Sequence, residues 1–151
     1  MLTFSDASLT DIPYLAANLR EADRAEVVVT HDSCEEALLE SFNASPQYRK
    51  AAYWCGKPAA MWGLCCYEGN DQLGCPWMLG TPDIFKWRHA FFRESRKAVA
   101  EMLQIRPVLG NIVDERYSAA IRWLRFLGFT ITNKVVFPDE EHGFIFVEYR
   151  K

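Results

Sequence analysis

The first rhythm along the chain is helical. Ile12, Leu15, Ala16 and Leu19 recur at three- and four-residue spacing, which places them on one face of a helix. The pattern predicts a helix capped by Thr10 or Asp11, with Pro13 tolerated in its first turn, running to about Asp23. Ahead of it, residues 2–5 read as a short strand. Behind it, Arg24 to Val29 is ambiguous: its β-branched residues favour strand and its flanks favour a loop or short helix. Ser33 followed by Glu36 has the spacing of a capping box. It predicts a helix over about 34–43 that presents Ala37, Leu38 and Phe42.

From Gln47 onward the elements shorten. Gln47 to Cys55 reads as a strand, Gly56-Lys57-Pro58 as a turn and Ala59 to Tyr67 as a second strand, together an antiparallel hairpin. A polar loop from Glu68 to Gly74 leads to an apolar strand over 75–80, in which Pro76 must sit where no ladder donor is needed. Thr81-Pro82-Asp83 is a helix start with Thr81 or Asp83 as cap, and 84–104 reads as a short helix followed by a longer one. Ile105 to Val113 is a further strand, and Asp114 is placed to cap a helix over 115–127. Gly128, lacking a Cβ, can take the left-handed position that ends that helix and puts Phe129 against Leu124. Thr130 to Phe137 and His142 to Tyr149 are strands, joined through Pro138-Asp139-Glu140-Glu141 as a second hairpin.

This order predicts an α/β fold, a mixed sheet of about six to seven strands with helices on both faces. The strands near 75–80 and 107–113, joined through a helix, should be parallel neighbours. With no internal repeat, low-complexity tract or linker, one domain over 1–151 is the simplest reading.

Composition changes this picture little. A chain that is 50% hydrophobic and 25% charged is an ordinary globular one. A net charge of -3 gives no global reason to expect nucleic acid or an anionic membrane as partner. Two local basic groups, Arg93-Arg96-Lys97 and Arg116-Arg122-Arg125, read as solvated helix faces or an anion-binding surface. Cys34, Cys55, Cys65, Cys66 and Cys75 include no CxxC, and adjacent Cys65 and Cys66 would point to opposite faces of a strand. They read as reduced, mostly buried thiols of a cytoplasmic protein. Three scattered histidines supply no metal site. The N-terminus lacks a signal-peptide pattern, and no stretch reaches the apolar length of a membrane span. Gly-rich nucleotide fingerprints and the GxSxG elbow are absent. Aromatic residues are frequent, and Trp87 and Trp123 in predicted helices pack on the sheet or, if exposed, mark a protein interface.

The run Ala120-Ile121-Arg122-Trp123-Leu124-Arg125-Phe126-Leu127-Gly128-Phe129, with the element order and the hairpin at Gly56-Lys57-Pro58, resembles the GNAT acetyltransferases. That family commonly shows an asparagine, an alanine three residues on, a tyrosine four further and a closing leucine-glycine-phenylalanine. Ala120, Leu127, Gly128 and Phe129 match, Tyr117 stands for the asparagine and Leu124 for the tyrosine. Over nearly its whole length the chain also resembles a group of tailed-phage internal virion and acetyltransferase-like proteins, through Pro13 to Arg24, Pro76-Trp77-Met78-Leu79-Gly80 and Ala120 to Leu124.

The resemblance implies acetyl-CoA held in a splay between the fourth and fifth strands and transfer of the acetyl group to a small-molecule or protein amine. It implies cofactor-binding positions at Met78, Leu79 and Gly80, and beyond them at Lys86, Arg88, His89 and Arg122. The family's pyrophosphate loop is glycine-rich, whereas Thr81 to His89 contains no glycine and carries Asp83, Phe85 and Trp87. Leu124 cannot transfer a proton; Tyr117, two helical turns earlier, is a candidate acid, with water or another residue as the alternative. Glu68 and Asp114 are the leading candidate bases, with Glu115, His89, Glu26 and His31 as alternatives. The phage resemblance implies a second reading, a non-enzymatic protein of the same fold that binds a host or virion protein, located in the host cytoplasm or the virion.

Overall fold

The computed structural model describes residues 1–28, 31–114, 116, 118–135 and 144–150. Its strands are β1 (Leu2–Asp6), β2 (Arg49–Trp54), β3 (Lys57–Cys65), β4 (Leu73–Gly80), β5 (Val108–Asp114), β6 (Thr130–Val135) and β7 (Phe144–Arg150). Its helices are α1 (Ile12–Asn18), α2 (Glu21–Val27), α3 (Cys34–Asn43), α4 (Arg88–Leu103) and α5 (Ser118–Leu127), with 3-10 turns at Leu9–Asp11 and Pro82–Trp87. The strands form one 7-stranded sheet in the order β1-β2-β3-β4-β5-β7-β6. β4 and β5 are its parallel pair, and the other neighbours are antiparallel. The expected α/β class and mixed sheet are therefore what the chain adopts.

Strand β3 lies inside the sheet between β2 and β4, and alternation sends its side chains to two cores. Met61 joins Ile12, Leu15, Leu38 and Phe42 beneath α1 to α3. Leu64 joins Ala98, Met102, Leu109 and Phe129 beneath α4 and α5. Leu15, Leu38, Met61 and Leu64 are fully buried. Close packing also requires glycine at Gly63, where a Cβ would lie 2.7 Å from the Tyr48 carbonyl oxygen and 2.9 Å from the Trp77 ring nitrogen.

Several local signals act as the sequence predicts. The Ser33 hydroxyl accepts from the Glu36 N–H at 3.1 Å, and Cys34, Ala37, Leu38 and Phe42 form the buried stripe of α3. Gly128 has φ 106°. The Phe129 N–H reaches the Leu124 carbonyl and the Gly128 N–H the Arg125 carbonyl, both at 3.0 Å, the paired bonds of a Schellman end. All five cysteines are free thiols.

Other elements differ from expectation. The first hairpin turns at Cys55-Gly56, with φ 51° and 82°, and Trp54 faces Lys57 across it. A two-residue turn with positive φ at both positions matches the strand twist, so Lys57 and Pro58 belong to β3. The helix expected to run to Asp23 stops at Asn18. Leu19 and Arg20 are extended, with ψ 147° and 148°, and α2 starts afresh, resolving Arg24 to Val27 as helix. The cause is a long-range anchor: the Arg20 N–H donates to the Gly80 carbonyl at 2.8 Å. Helix α5 is described over Ser118–Leu127 and Asp114 closes β5, while the expected start at Glu115 lies outside the described residues. The second hairpin pairs β6 with β7 as expected, while its connecting loop lies outside the described residues.

Candidate functional site

The sheet is split where β4 meets β5. Their ladder registers Leu73 with Val108 and Gly74 with Leu109, and no further pair follows. Pro76 accounts for the break. Its carbonyl oxygen accepts from Asn111 Nδ2 at 2.6 Å, so its backbone faces β5, yet proline has no N–H to continue the ladder. The Asn111 side chain spans the gap, its Oδ1 accepting from the Ile112 N–H at 2.7 Å. Beyond this bridge the strands diverge into a cleft of about 990 Å³, within the range of small-molecule sites.

The β4 edge of the cleft follows from alternation. Residues two apart in a strand direct their backbone polar groups to the same side. Pro76 faces β5, so Met78 and Gly80 face that way too, and Leu79 faces β3. The Gly80 groups are already engaged: its N–H donates to Asp23 Oδ2 at 2.9 Å, and its carbonyl accepts from Arg20. Met78 is therefore the β4 residue whose backbone groups face the open cleft.

Asp23 is the pivot of that end. It is 5% exposed and also accepts from Arg20 through both oxygens, at 3.0 and 2.8 Å. Burial raises its pKa despite the opposing pull of the Arg20 charge and the Gly80 N–H. The hydrophobic pattern of 12–23 carries no mark of this role, because the partner is 57 residues away.

The turn after β4 is closed on itself. The Thr81 N–H donates to the Ala59 carbonyl at 2.8 Å, and the Ile84 N–H to the Thr81 carbonyl at 3.2 Å. Pro82 has no N–H, and the Asp83 N–H is capped by Thr81 Oγ1 at 3.3 Å. Residues 82–87 form a 3-10 helix, in which Asp83 pairs with Lys86 at 2.9 Å. Helix α4 continues directly from it, with no side-chain cap at Trp87, so the positive end of its dipole is not met by a capping side chain.

Aromatic rings form the wall on the α4 and α5 side. Trp87 meets Phe91 edge-on at 5.8 Å between centroids, and Phe91 stacks on Trp123 at 5.3 Å and 24°. Trp87 is buried and packs on the sheet with Ile84 and Ala60. On the other side Glu26 and His31 line the cleft with Arg20 and Ser41, and His31 Nε2 lies 3.1 Å from Glu40 Oε2.

Met78, Leu79 and Arg88 thus line the cleft. Lys86 and His89 are exposed at its margin, and Arg122 is exposed on α5 away from the lining. Glu68 is exposed in the loop that precedes β4, at the end where the strands are zipped, and is not among the cleft-lining residues. Tyr117 and Glu115 lie outside the described residues, as does the Asp114 side chain. Leu124 and Ala120 line the cleft. Among the described residues no three metal-ligating side chains cluster, and no helix is long and apolar enough to cross a membrane.

No protein-family profile and no curated protein sequence matches the chain. Solved structures do. An acetyltransferase of the GNAT family from Streptococcus pneumoniae superposes with a TM-score of 0.67 at 16% identity, covering 99% of each chain. A GNAT-superfamily phosphinothricin acetyltransferase from Sinorhizobium meliloti, solved with acetyl-CoA, gives 0.71 at 14% identity, covering 99% of this chain and 88% of that one. The ribosomal-protein-S18-alanine N-acetyltransferase of Escherichia coli gives 0.66 at 15% identity, covering 99% and 94%. With its parallel β4–β5 pair split at Pro76 and helices on both faces, the chain has the GNAT fold.

Proposed function

We propose that the protein is an acyl-CoA-dependent N-acyltransferase that moves an acetyl group from acetyl-CoA to an amine. The observation that carries this is the cleft between β4 and β5, lined from one side by α4 and α5 and from the other by α2 and α3. Such a passage lets a donor and an acceptor enter from opposite faces and meet at the sheet. Acetyl-CoA supplies an activated thioester; everything else falls to the chain.

The residues present fit that ligand. The backbone of Met78 offers a donor and an acceptor to an extended arm. The uncapped start of α4 and the exposed Arg88 suit a pyrophosphate. Arg88 serves as a side-chain substitute for the Thr81, Asp83 and Ile84 amides, which are internally satisfied. On the acceptor side, an amine must lose a proton before it attacks, and of the titratable residues lining the cleft we assign Glu26 or His31 to take it. Holding amine and thioester in line across the split supplies much of the acceleration, and the Met78 N–H is placed to stabilise developing charge on the carbonyl oxygen.

The test is release of free thiol from acetyl-CoA, measured across a panel of amines from polyamines to peptide N-termini. Turnover with one class identifies the acceptor, and Glu26→Gln or His31→Asn, whichever removes the base, lowers kcat by about 10²–10⁴-fold. No turnover with any amine, despite tight acetyl-CoA binding, would contradict transfer. One observation favours a second reading, a non-catalytic protein that binds a host or virion protein: Phe92 of α4 and Phe126 of α5, 39% and 55% exposed, meet edge-on at 5.5 Å as an exposed aromatic pair.

A further inference from the structure

Two of the buried polar atoms are conspicuous. Nε1 of Trp87 and Nε1 of Trp123 are buried and have no hydrogen-bond partner among the described residues. Trp62 Nε1 differs, because the Tyr48 hydroxyl lies beside it. Leaving a buried N–H unpaired costs about 1–3 kcal/mol, and native proteins rarely tolerate it without a reason. Both indoles line the β4–β5 cleft. Trp87 is only 7% exposed, and it sits at the N-cap of α4, the end of the helix that has no side-chain cap.

We infer that Trp87 and Trp123 are ligand-binding donors, whose indole N–H groups hold the two amide carbonyls of the pantetheine arm of coenzyme A. This rests on the acyl-CoA reading above and assigns part of the arm's grip to side chains of the aromatic wall. The surroundings select the kind of acceptor. Trp87 is packed by Phe4 at 6.2 Å and Phe91 at 5.8 Å, and Trp123 is stacked on Phe91. A phosphate placed among these rings would lose its hydration, while the neighbouring cation, Arg88, is exposed at the helix start. A neutral amide carbonyl loses far less and recovers a hydrogen bond. The pantetheine arm carries two such carbonyls separated by methylene groups, which suits two donors separated by the Phe91 ring. The closed turn at 81–84 gives the same division of labour: with its amides used internally, the donors left among the aromatic rings are the two indoles.

The experiment follows the indole N–H resonances of the 15N-labelled protein during titration with coenzyme A, and separately with adenosine 3′,5′-bisphosphate, which has the charged end but no arm. The expected result is a downfield shift of the Trp87 and Trp123 indole signals with coenzyme A and none with the bisphosphate. Trp87→Phe, which keeps an aromatic ring and deletes the donor, should weaken coenzyme A binding about tenfold. Its melting temperature should fall only by what the lost ring volume costs, since the free protein has no hydrogen bond there to lose. Coenzyme A binding to the wild type with both indole signals unmoved would overturn the inference while leaving the acyl-CoA reading intact. Equal shifts with the bisphosphate would also overturn it, by placing the charged end at the indoles. If the wild type binds no coenzyme A at millimolar concentration, the acyl-CoA reading fails and this inference falls with it. The wild-type shifts decide the matter even if the variant does not fold.

Discussion

The two walls of the cleft are built on opposite principles. On the β4 and α2 side, the polar groups at the end of the strand are engaged. The Gly80 N–H goes to Asp23, the Gly80 carbonyl to Arg20, and the Thr81 N–H to Ala59. On the α4 and α5 side, the wall is aromatic, and Nε1 of Trp87 and Trp123 is buried without a partner among the described residues. Around Gly80 and Thr81 the first wall is complete in itself and reads as scaffold, with Met78 left open to the cleft. The second is complete only when something with acceptors lies against it. Unmet hydrogen-bonding capacity, more than shape, separates a surface that supports a site from one that contacts a ligand.

The contrast can be broken at several points. The largest effects belong to the core that both walls share. Leu64→Ala, at a fully buried position of β3, should cost about 2–5 kcal/mol in urea unfolding. A smaller loss would mean that the site collapses around the cavity.

Next comes the anchor. Asp23→Ala strands the Gly80 N–H and the Arg20 charge, and should cost about 2–4 kcal/mol. Asp23→Asn keeps an acceptor, and its pH dependence has a definite sign. Burial raises the Asp23 pKa in the fold, so the folded state holds this proton more tightly than the unfolded chain. The contribution of Asp23 is then fully present below its unfolded value of about 3.9 and is lost as pH rises through the raised folded value. The stability advantage of wild type over Asp23→Asn should therefore narrow as pH is raised from 3 to 7. A gap that widens over that interval would show that the Arg20 pairing outweighs burial.

A smaller effect tests local capping. Ser33→Ala removes the acceptor for the Glu36 N–H and should cost about 1 kcal/mol. Trp87→Phe on the second wall sets the relief of an unpaired N–H against lost ring packing, so its unfolding loss should stay well below that of Asp23→Ala while ligand binding weakens. A loss as large as that of Asp23→Ala would erase the distinction between the walls.

The same contrast explains what could be read from the sequence. Ser33 with Glu36, Thr81-Pro82 and Leu127-Gly128-Phe129 are signals whose donors and acceptors lie within a turn or two, and each acts where the sequence places it. The α/β class and the parallel neighbours around α4 followed from element order. What escaped detection was long-range. Nothing local ends the first helix at Asn18; a backbone bond from Arg20 to Gly80 does. Asp23 looks like a solvated helix charge until β4 is brought against it. The Cys55-Gly56 turn was displaced by one residue because Gly56-Lys57-Pro58 is also good turn chemistry, and the register with β3 decided between them. Glu68 sits beside β4 in the chain, but strand direction puts it at the zipped end. The unpaired indoles had no signature in sequence at all, since Trp87 and Trp123 satisfy the hydrophobic pattern whether or not their N–H groups find partners.

The most direct measurement is a calorimetric titration of the purified protein with acetyl-CoA, with desulfo-CoA in parallel. An acyl-CoA cleft between β4 and β5 predicts binding of both in the micromolar range, one ligand per chain, and loss of affinity when Arg88 is replaced by alanine. Absence of heat up to millimolar ligand, from protein shown to be folded, would contradict it and leave the GNAT fold serving another purpose.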